Sequence, residues 1–226
     1  MYSLVFSPKW FFGIDIIFEI VSIFIALLIS FYGYKIYKLS KIKEHKYFSI
    51  SFFLIVLSFV FKILTNFDIY YSVLKPIQIG SKIVLFNYLY SSGILHLTGL
   101  FISRLLMIAA FFVLFLLTER KYPRKDIYLM GYLLFISVIF SVLFYYIFHM
   151  TLAVIVFFIC LNSYENYKKI RKSSKFIVFL AFLLILVSQL AFSLIFFEIE
   201  SYVIGETLML IGFFVLLYNY LTVSRE

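Results

Sequence analysis

Asp15, Glu19, His96, Arg104 and Glu206, together with the amide of Gln189, stand inside long apolar runs where polar groups are costly. A charge held in hydrocarbon costs about 2.5–3.5 kcal/mol even on a lenient insertion scale, so each one calls for a partner, a ligand or a water-filled cavity. Asp15 and Glu19 are spaced to share one face of a helix. His96 and Arg104 line one broad side of another. Counting inward from the nearer ends of these runs places Asp15, His96 and Glu206 in a shallow layer, with Glu19 and Arg104 deeper. The expected arrangement is a polar cluster in which Arg104 pairs with Glu19 and Glu206. Its chemistry would be ligand recognition, an ion or proton relay, or simply an ion pair that fixes helix register. Lys62, read as lying near the end of its run, is expected to snorkel toward water.

Enzymatic motifs are missing. The sequence contains neither HExxH nor GxSxG, the minimum parts of a zinc protease or a serine nucleophile of those types. His45, His96 and His149 fall on a basic loop, in a helix and in a turn, so they form no joint metal site. Cys160 is the single cysteine, which precludes an internal disulfide and a cysteine-based metal motif.

The elements that must position these groups follow from composition. Of 226 residues, 65% are hydrophobic and 14% charged, far from the roughly half-apolar norm of soluble domains. Apolar runs bounded by charge clusters give seven helices, at 11–34, 47–66, 90–118, 127–145, 147–166, 176–197 and 202–222. The fold class expected is therefore all-α and integral to the membrane, a seven-helix bundle reading as one domain without internal repeat. A turn near Tyr145, Tyr146 and His149 divides helices four and five. The first residues lack the pattern of a removable signal peptide. Residues 67–89 form an extracellular cap, in which Ile69 to Ile79 and Lys82 to Leu85 could pair as strands around Gly80-Ser81. Helices one and seven are expected to be neighbours in a closed ring with helix three in its middle.

Charge sets the orientation. Lys35, Lys38, Lys41, Lys43 and Lys46, then Arg120, Lys121, Arg124 and Lys125, then Lys168, Lys169, Arg171, Lys172 and Lys175 fall on one side of seven crossings. The other side holds Lys9, Lys75 and Lys82 beside acidic Asp68, Glu198 and Glu200. Positive-inside logic puts the basic side and the carboxyl terminus in the cytoplasm, and the amino terminus outside. Aromatic belts agree, with Trp10, Tyr70, Tyr71, Tyr88, Tyr90 and Tyr202 at one interface and Tyr34, Tyr37, Tyr128, Tyr164, Tyr167, Tyr218 and Tyr220 at the other. The formal charge of +9 thus belongs with anionic lipid rather than nucleic acid.

This arrangement resembles the microbial-rhodopsin architecture in topology. That family holds retinal through a lysine in helix seven. The run from Tyr202 to Leu221 has none, which excludes covalent retinal and leaves a noncovalent apolar ligand open. The leading expectation is a nonenzymatic, receptor-like sensor or signalling subunit of the cell membrane, acting on a cytoplasmic protein partner. A small transporter or proton/ion-conducting protein stands beside it, followed by a structural assembly subunit. The Lys, Ile, Phe and Tyr bias is that of an AT-rich prokaryotic genome.

Overall fold

Backbone groups in hydrocarbon must be satisfied within their own segment, which drives apolar runs of this length into helices. The computed structural model describes residues 7–11, 13–74, 82–118, 123–195 and 197–223, with side chains undescribed at positions 9, 67–74, 82–96, 124, 143 and 223. Seven helices follow a 3₁₀ turn at Lys9–Phe11: α1 (Ile14–Ser40), α2 (Lys43–Leu74), α3 (Lys82–Thr118), α4 (Arg124–Leu143), α5 (Tyr145–Ile170), α6 (Ser173–Ser193) and α7 (Ser201–Val223). All seven contain a stretch long and apolar enough to cross a membrane.

Where residues are described, the expected strand pair is helix instead. α2 continues through Ile69 to Leu74 and α3 already begins at Lys82; Lys75-Pro76 and Gly80-Ser81 lie outside the described residues. β-branched and aromatic side chains favour strands only where a pleated partner exists, and a continuing helix supplies its own hydrogen bonds. Helices four and five separate at the single residue Phe144, so Tyr145, Tyr146 and His149 belong to the first turns of α5 rather than to a loop.

Successive helices run antiparallel. Ser30 meets Ser49, and Glu19 meets Lys62, across α1 and α2; Ser58 meets Ser103 across α2 and α3; His149 meets Gln189 across α5 and α6. The ring order is α1, α2, α3, α5, α6, α7 and back to α1. α3 is therefore part of the wall rather than the centre. α4 lies outside the ring against α3 and α5; among its described side chains only Val138 and Ser141 are buried, and Tyr128, Leu129, Tyr132 and Leu133 are exposed.

Contrary to the expectation of no repeat, α1–α3 and α5–α7 are built on one plan. α1 ends in left-handed Lys41 (φ 59°), whose N–H bonds the Tyr37 carbonyl; α5 ends in left-handed Arg171 (φ 53°), bonded the same way to Tyr167. With these two caps in register, Tyr34, Tyr37 and Lys38 fall on Tyr164, Tyr167 and Lys168. The buried positions follow. Glu19, Ile25, Ile29, Ser30 and Gly33 of α1 fall on His149, Ile155, Ile159, Cys160 and Ser163 of α5, and Ser51, Phe52, Ile55 and Ser58 of α2 on Ala181, Phe182, Ile185 and Ser188 of α6. The third helix of each unit packs on the first helix of the other, α3 on α5 and α7 on α1, as a pseudo-two-fold axis along the bundle requires. The repeat shows most clearly in which positions are buried, because lipid-facing positions tolerate any apolar residue.

Close approach is needed where the second unit folds on itself. A Cβ on Gly212 would stand 2.8 Å from Ile185 Cγ1 and 3.2 Å from the Ala181 carbonyl, so α6 and α7 meet there through a glycine.

Candidate functional site

At the end of the bundle near Ser7 and Asp15, α1, α2 and α7 bring three charged side chains together. Lys62 Nζ lies 2.9 Å from Glu19 Oε1 and 2.6 Å from Glu206 Oε1, and Asn66 Nδ2 donates to Glu19 Oε1 at 3.3 Å. Both carboxylates are buried. Glu19 Oε2 is buried as well and has no hydrogen-bond partner among the described residues. The ammonium also lies over the Tyr202 ring, 5.7 Å from its centre.

Lys62 does not snorkel. α2 runs on to Leu74 instead of ending near 66, and eight further residues at 1.5 Å each set the tip about 12 Å beyond the expected end. Its ammonium is instead held by two buried carboxylates, Glu19 and Glu206.

Arg104 does not pair with Glu19 or Glu206. Its Nη1 donates to the Ser141 backbone carbonyl, and the guanidinium stacks over Tyr145 and Phe148, 5.5 and 5.6 Å from the ring centres. Ser141 stands on α4, so Arg104 ties the peripheral helix to the ring. Its register on α3 turns it toward α4 and α5, away from α1.

Gln189 Oε1 accepts from His149 Nδ1–H at 2.8 Å, and its amide nitrogen donates to Ser188 Oγ at 3.2 Å. His149, expected in a turn, is instead buried between Tyr145, Phe148 and Phe192. Asp15 is buried near the start of α1, where its Oδ1 accepts from the Gly13 and Ile16 amides at 2.9 Å each. Gly13 takes φ +88°, a backbone that other residues rarely adopt. The His96 side chain lies outside the described residues. Tyr202, expected at the interface, is buried against Phe11 and Phe192. Lys62, His149, Tyr145 and Tyr202 are thus the members that sequence reasoning left out of the cluster. The one signal for Lys62 was its position inside an unbroken apolar run.

These groups surround a cavity offering about 110 Å³ to the centre of a water molecule, where one water needs roughly 10–15 Å³ by that measure. Its polar lining includes Asp15, Lys62, Asn66, Arg104, His149 and Gln189, and its apolar lining includes Phe59, Met107, Leu152, Phe192 and Met209. It lies between the two repeat units, with walls from both. Further along the bundle the interior is filled by Ile29, Phe52, Ile55, Phe111, Ile159 and Phe213, all fully buried. Among the described residues no group of three or more His, Cys, Asp or Glu side chains could hold a metal ion.

At the other end the described basic residues gather on the tips of α1, α2, α4, α5 and α6, where Lys35, Lys41, Lys43, Lys46, Lys125, Lys168, Lys169, Arg171, Lys172 and Lys175 are exposed. Arg120 and Lys121, and the Arg124 side chain, lie outside the described residues.

The class defined by this architecture is a multi-pass helical membrane protein with seven candidate spans. No family model matches the chain, nor does any curated protein or solved structure.

Proposed function

We propose that this is a receptor-like protein of the cell membrane that binds a small, largely apolar molecule noncovalently in the cavity between its two repeat units. One observation carries the reading: a cavity larger than a few waters, mostly apolar, into which a small number of buried polar side chains converge. That combination is the usual form of a small-molecule site. Covalent attachment of a retinal-like group through α7 has no lysine to use. In this reading the basic tips face the cytoplasm, where they meet anionic lipid headgroups and a signalling partner. Binding shifts the bundle only insofar as the ligand prefers one arrangement of the two units over the other.

A second reading is favoured by the repeat. Parallel repeats about an axis along the membrane normal, with a site between them, are a transporter plan, in which the units rock around bound solute. The unbroken helices and the filled interior beyond the cavity favour the sensor.

Native mass spectrometry of the purified protein, paired with solute flux in proteoliposomes, tests both. The receptor reading expects a retained small molecule that is lost in Arg104→Leu and Gln189→Leu, with no flux. Flux that disappears in Glu19→Gln or Glu206→Gln would replace it with the transporter. An empty cavity and silent flux would leave the charges as packing devices and overturn both.

A further inference from the structure

We propose that the Glu19–Lys62–Glu206 cluster is a proton-binding site, with one exchangeable proton held on Glu19 Oε2. Among the described residues two buried carboxylates share a single ammonium, so the cluster carries one negative charge in excess when both are ionised. Other charged and titratable groups surround it on every packed element: Asp15 on α1, Tyr202 on α7, Tyr145 and His149 on α5, and Arg104 on α3. Arg104 is engaged by Ser141, Tyr145 and Phe148, and Asp15 by the Gly13 and Ile16 amides, so among the described residues neither is an ion-pair partner of the cluster. The excess remains. A buried group in this position takes up a proton rather than stay charged without compensation.

The oxygens are not equivalent. Glu19 Oε1 accepts from both Lys62 and Asn66, and Glu206 Oε1 accepts the shorter bond from Lys62. Glu19 Oε2 is enclosed and accepts nothing among the described residues. An anionic oxygen without donors is the most costly atom in the cluster, and a neutral hydroxyl there costs far less. The proton therefore belongs to Glu19, leaving the Lys62–Glu206 pair balanced. This follows from the cluster's geometry and holds whether the cavity serves a sensor or a transporter.

Infrared spectroscopy of the full chain in lipid nanodiscs reads the proton directly. At neutral pH the wild type should show a protonated-carboxyl C=O band that shifts down in deuterated buffer. Glu19→Gln should abolish it and Glu206→Gln, by removing the excess charge, should weaken it, whereas Asp15→Asn should keep it. Absence of the band in wild type overturns the proposal, as does its persistence in Glu19→Gln or its loss only in Asp15→Asn. Should Glu19→Gln fail to fold, the carbon-13 chemical shift of the Glu19 carboxyl in wild type decides: a protonated shift supports the assignment, and a carboxylate shift refutes it.

Discussion

Replacing Lys62 by Met removes the cation that, among the described residues, bridges two buried carboxyl groups, and keeps most of the apolar stem. Each hydrogen bond to a charged group contributes about 1.5–3 kcal/mol, and removing one member of a buried ion pair typically costs 3–5 kcal/mol. Lys62 makes two such contacts, at 2.9 and 2.6 Å, but its side chain keeps 26% of its exposure, which argues for the low end of that range. The expected loss is therefore about 3 kcal/mol, roughly a hundredfold in the unfolding equilibrium. Equilibrium unfolding of the detergent-solubilised protein by titration with sodium dodecyl sulfate measures it. Because the cost comes from stranded carboxylates, the triple variant K62M/E19Q/E206Q should recover most of the loss, to within about 1 kcal/mol of wild type. Lys62→Met within 0.5 kcal/mol of wild type would refute the reasoning, as would a triple variant no more stable than the single one.

Three further outcomes follow from the packing and the charge asymmetry. Gly212→Val forces a branched Cβ against Ile185 and the Ala181 carbonyl, and should cost about 1–3 kcal/mol in the same titration. Phe52→Ala, emptying a fully buried site, should cost about 3–5 kcal/mol, whereas Tyr128→Ala on the outer face of α4 should stay within about 0.5 kcal/mol. A cysteine introduced as Lys169→Cys should resist a membrane-impermeant maleimide in intact cells and react after lysis; labelling from outside would invert the assigned orientation.

Span number and the identity of most buried charged groups were legible because chain length and hydropathy alone decide them. Glu19, Arg104, Gln189 and Glu206 stood out as polar residues in apolar runs, and all four are buried. Their partners were not legible, since pairing depends on helix azimuth and on where each helix ends. The shortened estimate of α2 moved Lys62 to the surface and left Arg104 as the nearest cation for Glu19. Helix ends were misjudged for a related reason: α1 and α5 continue past 34 and 166 to Ser40 and Ile170, carrying their basic residues on a final exposed turn. The two Tyr-x-x-Tyr-Lys-x-x-Lys/Arg segments were in plain view. Their meaning emerged only when each proved to end its helix in the same left-handed cap.

The marginal position of α4 has a topological reading. Three crossings begin at one face of a membrane and finish at the opposite one. For a second set of three to point the same way, the polypeptide must first travel back, and a seventh crossing is the shortest means of doing so. α4 is that return stroke, which explains why a helix of full spanning length buries so little of itself and meets the ring through a few contacts such as Ser141 with Arg104 and Ser137 with Thr151. The halves are held together by their mutual faces, and the linkage between them mainly fixes their relative direction.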